Sequence, residues 1–457
     1  MPAKHSKKKK QTSLAPEPKP DAAGIDIGSN EMWVAIGPDR DERPIRCYGS
    51  FTEDLHEIAD WLKDRNIRTV AMESTGVYWI PLFQILESRG FEVCLVNAHY
   101  PKYAPGRKSD VLDCQWLQYL HSVGLLSGSF RPPQSICEVR AILRHRENLI
   151  ALAASHVQRI QKSLNQMNLL LHNVISDITG KTGLAILDAI LAGQRDPKKL
   201  AALRDRRTKA SEETIMKSLV GDYRTEHLFT LKQSLSSYRH YLLQIDEADV
   251  EIKRFMAGLD SRSQPAPAPL AEVAPVKRGP GRPKGSKSID SQLRTELHRI
   301  IGTDLTLIPG IDVTTVQTIL SEVGPDLSAF RSSPAFVSWL RLCPNNQITG
   351  GKVIATKTQP TKNRLSHALR MGAQSLVHSK SALGGIHRRF RARLGPPDAV
   401  TASAHRLARI IYHLVSTRKA FDDSVFMELE KQDSQRKERR LKAQARAGGF
   451  KLVPLEA

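Results

Sequence analysis

The sequence predicts a mixed α/β domain, then a long helical region, then a second, helical domain. Three observations lead there. Short apolar runs bounded by turn residues recur from residue 22 and soon alternate with amphipathic stretches. From about Pro133 the apolar spacing becomes that of a helix, with glycine and proline nearly absent until Gly180. A Pro/Ala-rich stretch, QPAPAPLAEVAPV, then separates this region from another globular one.

Residues 22–37, AAGIDIGSNEMWVAIG, predict two strands around a Gly-Ser-Asn turn, and a third strand fits Pro44 to Phe51. An amphipathic helix follows from about Glu53 to Arg65, with Leu55, Ile58, Ala59 and Leu62 on one face. TVAMES predicts a strand, YWIPLFQILESRG a helix, FEVCLVN a strand and DVLDCQWLQYLHSVGLL a helix. Strands joined by short turns pair antiparallel, and strands separated by helices pair parallel. This order is the one expected of a ribonuclease-H-like fold.

Further on, Ile142, Leu149, Leu152, Val157, Ile160, Leu164, Met167 and Leu171 recur at helical spacing, and a second long helix is expected from about Glu226 to Phe255. The pair forms either a bundle within one chain or a coiled coil that joins protomers. We expect a basic leader over 1–21, the α/β domain over 22–130, the helical or coiled-coil region over 131–257, a linker over 258–290, a helical domain over 291–416 and a basic tail over 417–457.

Composition narrows the function. The 457 residues carry 68 Lys+Arg against 47 Asp+Glu, a net charge of +21. Such a surface attracts polyanions, nucleic acid foremost. There is no apolar run long enough to span a membrane and no signal peptide, because MPAKHSKKKK leads into no apolar core. The five cysteines are scattered and lack metal-ligand spacing, which fits a reducing cytoplasm and excludes structural zinc.

Four acids stand out in the α/β domain. Asp26 lies inside an apolar strand between Ile25 and Ile27, where an uncompensated charge is costly. Glu73 closes the strand TVAMES. Asp110 and Asp113, three apart at the start of a helix, share one face; taken alone they equally suit a helix-capping pair. Together the four offer oxygen ligands for two Mg2+ or Mn2+ ions, as phosphodiester chemistry requires.

In the second globular region, LTLIPGIDVTTVQTILSEVG has the form of a helix-hairpin-helix, with Gly310 in its turn and backbone N–H groups available to a DNA phosphate; a plain packing turn is the alternative. The linker ends in KRGPGRPKGSK, where Arg278, Arg282 and Lys284 flank a Gly-Arg-Pro core like that of an AT-hook, suited to an A·T minor groove or serving only as linker.

The segments AGIDIGSNEMWVAIG, VAMESTGVYWIPLFQILESRGFEVCLVNA and PGRKSDVLDCQWL resemble the N-terminal domain of the insertion-sequence 110 family of transposases. The resemblance covers about residues 22–130 and implies a RuvC-like fold whose Asp-Glu-Asp-Asp set falls on Asp26, Glu73, Asp110 and Asp113. WLRLCPNNQITGGKVIATKT and NRLSHALRMGAQSL resemble the family's C-terminal domain, over about 296–416. There the family uses a serine that attacks DNA phosphate; ITGGK places Thr349 at that position. Thr349 is then a working variant, the mark of a weakened copy, or a neighbour of the true position. Gly350 and Gly351 would let the DNA backbone approach, and Lys352, Lys357, Lys362 and Arg364 would contact phosphate. The resemblance further implies double-stranded DNA as substrate, a structured non-coding guide RNA, and a homo-oligomer, dimer or tetramer, in which one protomer's carboxylates meet another's Thr349. It places the protein in the bacterial cytoplasm, at the nucleoid. A junction-resolving nuclease, or a catalytically inactive DNA-binding relative, would use the same residues differently.

Overall fold

The computed structural model describes residues 18–97, 109–263 and 286–450, apart from the side chains of 286–291, 429–434 and 437. Arg278, Arg282 and Lys284, and with them the AT-hook-like segment, lie outside the described residues. The chain divides into two compact units, Met1–Arg131 and Pro132–Ala457.

The first unit is a five-stranded sheet with helices on both faces. β1 (Ala22–Ile27), β2 (Glu31–Ala35) and β3 (Ile45–Gly49) form the expected antiparallel meander. α1 (Thr52–Asp64) returns the chain so that β4 (Thr69–Glu73) pairs parallel with β1. α2 (Trp79–Ser88) then carries it to β5 (Glu92–Val96), parallel to β4, giving the order β3-β2-β1-β4-β5. Alternation decides which side chains face which layer. Ile25, Ile27, Val34, Val70 and Met72 join Leu55, Ile58 and Leu62 of α1 and Leu82 and Leu86 of α2 in one core. The other face is covered by α3 (Asp110–Ser122), whose approach depends on Gly24. A Cβ on Gly24 would stand 2.2 Å from the Gln118 nitrogen and 2.4 Å from the Cys114 carbonyl oxygen, so only a bare backbone admits the helix.

In the second unit, α4 (Gln134–Gln166) and α9 (Thr225–Ala257) pack against each other in antiparallel fashion. Arg146 is paired with Asp249, His156 with the Tyr241 ring, and Ser163 with Thr230, a descending series that sets the direction. The long apolar series thus meets its complement within the same chain. Four short helices, α5 (Leu171–Val174), α6 (Lys181–Leu191), α7 (Pro197–Ala201) and α8 (Glu212–Ser218), close the open end of the pair around Met167, Leu187 and Leu219. Three of them, of four, five and seven residues, are too short to show a period in the sequence.

The rest of the unit is helical: α10 (Ser286–Ile301), α11 (Val313–Val323), α12 (Ser333–Trp339), α13 (Arg364–Ser375), α14 (Ala382–Leu394), α15 (Pro396–Thr417) and α16 (Ser424–Ala447). One hairpin interrupts it, β6 (Gln347–Thr349) with β7 (Lys352–Ala355). α11 is tied to α4 by a buried carboxylate. Glu322 accepts from Arg144 Nη2 at 2.9 Å on both oxygens, and Arg140 donates to the backbone oxygens of Ser321 and Glu322 at 2.8 Å. These arginines sit where the α11 dipole is negative. No described helix is long and apolar enough to cross a membrane.

Candidate active site

Strand register brings the first two acids together. Ile25 pairs with Met72 in the parallel ladder, so Asp26 and Glu73 occupy the next rung, at the strands' carboxyl ends and on one face. α3 runs antiparallel to β1 over that face: Gln118 Nε2 donates to the Ala22 carbonyl, and Cys114 and Gln118 lie on Gly24. Two residues further along β1 is Asp26, and one turn back along α3 are Asp110 and Asp113. The three other acids are accordingly within Coulombic reach of Asp26. Its carboxyl is pushed up to about 6, first by burial, then by Glu73, Asp110 and Asp113.

Neighbouring residues, which the sequence reading overlooked, complete the surroundings. Thr75 donates its hydroxyl to Glu73 Oε1 at 2.8 Å, fixing that carboxylate across the Ser-Thr-Gly turn. Trp33 lies directly opposite Asp26 across β1–β2, its buried indole N–H without a hydrogen-bond partner among the described residues. Beyond it on β3 is Cys47, whose thiol approaches Glu31 at 3.7 Å. Cys114 is buried beneath the acids, its thiol pushed up to about 12 by burial and by Asp26, so it remains protonated and unreactive. Behind the site, buried His121 shares a 2.8 Å hydrogen bond with the Thr69 hydroxyl and is held near 4 by burial, hence neutral. Of these, only Thr75 carried a usable signal, a hydroxyl two residues after an acid at a strand end.

Among the described residues no three acid, histidine or cysteine side chains close into a ready chelating group. The acids form a cluster of like charge around Asp26, short of a finished coordination shell. The charges acting most on Asp26 are all negative, so the donor set suits a hard divalent cation, which carboxylate oxygens prefer.

The predicted residues of the second unit fall into three places. Thr349 ends β6, exposed, and Gly350 and Gly351 turn the chain into Lys352 with φ of +54° and +77°. Two positive φ angles make a two-residue primed turn, a conformation that Gly-Gly adopts readily irrespective of any ligand. Lys352 and Lys357 are exposed on the same hairpin segment. Arg364, at the start of α13, is paired with Glu147 of α4. Gly310 has a positive φ of +90° and packs backbone to backbone on α13, since a Cβ there would lie 2.6 Å from the Gly372 oxygen. Asp312 caps α11 by accepting from Thr315 N at 2.8 Å, so a carboxylate already answers the helix terminus that was expected to meet phosphate.

Two family models match the chain. A transposase model of the DEDD type from the IS110 family matches residues 23–169, and one described as transposase of the IS116/IS110/IS902 family matches residues 302–387. Between them they cover just over half of the sequence, and the chain belongs to the IS110 family of transposases. Transposition and recombination of insertion-sequence DNA follow as its work, DNA as its partner, and a DEDD domain suggests dependence on a divalent metal. No curated protein matches the chain.

Proposed function

We propose that this transposase cuts and rejoins double-stranded DNA with two sets of residues. Asp26, Glu73, Asp110 and Asp113 hold Mg2+ or Mn2+, and the Thr349 hydroxyl is the nucleophile. The observation that carries the reading is the strand register that sets Asp26 beside Glu73 under α3, where burial and then Glu73, Asp110 and Asp113 raise the Asp26 carboxyl. When bound, the metal supplies charge neutralisation at the phosphodiester. The chain does the rest. Thr75 keeps Glu73 oriented, α3 presents Asp110 and Asp113 from its first turn, and the primed turn holds Thr349 out in solvent. In the covalent step the Thr349 Oγ–P bond forms, a P–O bond to deoxyribose breaks, and the departing oxygen takes up the proton. Reversal by another deoxyribose hydroxyl rejoins the strands without loss of the phosphodiester.

The order β3-β2-β1-β4-β5, with an antiparallel meander and a parallel extension, supports a ribonuclease-H-like, RuvC-type fold for the first unit. We also propose the finer division into a helical or coiled-coil region and a hairpin-bearing transposase domain, a homo-oligomeric assembly, and guidance by a structured RNA. Lys352, Lys357, Gly350 and Gly351 would lie along the DNA, Gly310 would act only through the turn it packs on α13, and the AT-hook-like Arg278, Arg282 and Lys284 would add minor-groove contacts.

The test is chemical. Protein, donor and target DNA, the element's RNA and Mg2+ should yield a covalent protein–DNA adduct that survives denaturation. Thr349→Ala should abolish it, Thr349→Ser and Ile348→Ala should retain it, and Glu73→Gln should lose both adduct and cleavage. Cleavage by Thr349→Ala with no adduct from the parent protein would make water the nucleophile and the protein a junction-resolving nuclease. No cleavage under any condition would leave a DNA-binding relative.

A further inference from the structure

A cavity of about 940 Å3 opens between α15 and the start of α16, lined, apart from Ser333, by residues beyond 387, where the second family match ends. Its lining is partly aromatic and partly cationic. Phe421 and Phe426 stack with ring centres 5.9 Å apart and planes 17° apart. His405, Arg406 and Arg409 project from successive turns of α15. Arg406 is half-buried, with its guanidinium 6.0 Å from the centre of the Phe426 ring.

Among the described residues, neither Arg406 nor Arg409 has a hydrogen-bond or ion-pair partner. Burial, Arg389 and Arg409 together hold the Arg406 guanidinium below its ordinary value, and burial and the same two α15 arginines lower His405. The carboxylate in the lining, Asp422, is engaged elsewhere, accepting from Ser424 N at 2.8 Å. A half-buried cation crowded by cations and lacking a counter-ion is costly unless an anion joins it. The cavity is far larger than one phosphate needs, and its aromatic pair offers a face on which any nucleobase can stack. α16 leads away from it with Arg439 and Arg440 exposed, a track for the neighbouring phosphates.

We propose that this cavity is a second nucleic-acid site, taking an unpaired nucleotide of a single strand. The base lies on the Phe421–Phe426 pair and the phosphate on Arg406 and Arg409. Duplex DNA does not fit, because a paired and stacked base cannot leave the helix without an unstacking cost. The site belongs to the second unit, the carboxylates to the first, and the proposal does not rest on the reading of the carboxylates.

The experiment uses the full chain in EDTA, so that the metal-dependent site is silent. Binding of labelled oligouridine, oligothymidine and a blunt duplex, each about ten nucleotides long, is followed by anisotropy. Arg406→Gln/Arg409→Gln should weaken single-strand binding about tenfold and duplex binding less than about twofold. A 2-aminopurine in the strand should be quenched on binding, and Phe426→Leu should remove that quenching. Arg439→Gln/Arg440→Gln should weaken strand and duplex alike. A preference for oligouridine assigns the strand to RNA, and a preference for oligothymidine to DNA. Equal losses on strand and duplex in the Arg406/Arg409 variant, or quenching that survives Phe426→Leu, would overturn the proposal. Should the double arginine variant unfold, the loss or survival of quenching in Phe426→Leu decides.

Discussion

Replacing Gly24 with alanine would place a Cβ 2.2 Å from the Gln118 nitrogen, 2.4 Å from the Cys114 oxygen and 2.8 Å from the Gln118 Cα. All three are backbone atoms, so no side-chain rotation relieves the overlap. Ordinary contacts lie near ~3.5 Å, so α3 must retreat from β1 by about 1 Å. Overpacking of this kind costs about 1–3 kcal/mol, which lowers the melting midpoint of the first unit by several degrees. The functional cost should be larger than the stability cost. α3 carries Asp110 and Asp113, and a displacement of about 1 Å in an active site can cost about a hundredfold in rate. Gly24→Ala should therefore remain folded by circular dichroism and cut DNA about a hundredfold more slowly at saturating Mg2+. Gly90→Ala is the control: its φ of +85° is strained but its Cβ would meet nothing within 4 Å, so its cutting should match the parent. A Gly24→Ala protein with parental midpoint and parental rate would refute the account of how the acids are gathered.

Asp26 predicts a pH signature in the metal-free protein. Its folded value of about 6 lies above the ordinary 3.8, so the folded state holds a proton that the unfolded chain has released, and stability is lost as pH rises through that window. Asp26→Asn should raise the melting midpoint near pH 7.5 and change it little near pH 4; an equal gain at both would show that the raised value is wrong. Arg144→Gln leaves buried Glu322 with only Arg140, whose Nε is 4.0 Å away, and should destabilise the second unit by about 2 kcal/mol in chemical denaturation. An unchanged midpoint would mean that the pair contributes nothing there.

Much of the first unit was legible because its signals are local. The three-strand meander, the helix at Leu55, Ile58, Ala59 and Leu62, and the later strands fall within a residue or two of their predicted bounds. The two long helices were legible for the same reason, although the first ends at Gln166, short of Met167 and Leu171 in the apolar series. The hairpin at Thr349 was missed although Gly-Gly between Gln-Ile-Thr and Lys-Val-Ile-Ala is a strong turn signal. In the sequence the glycines suggest room for DNA, and the structure gives them a backbone duty that needs no ligand. Gly310 is similar, a turn glycine whose neighbour proves to be α13.

By itself, the sequence determined the identity of the four acids, the strand and helix each belongs to, and the basic character that draws the protein to DNA. Those properties depend on residue type and on short-range periodicity. Only the tertiary structure decided that the acids act on one another. Asp26 and Glu73 become neighbours through a parallel ladder, and Asp110 and Asp113 reach them because α3 can lie flat on Gly24. The raised carboxyl of Asp26 is a property of that packing, since burial and charge at a distance along the chain exist only after folding. Arg406 beside Phe426 is of the same kind: its charge was visible in the sequence, and its lack of a counter-ion among the described residues was not.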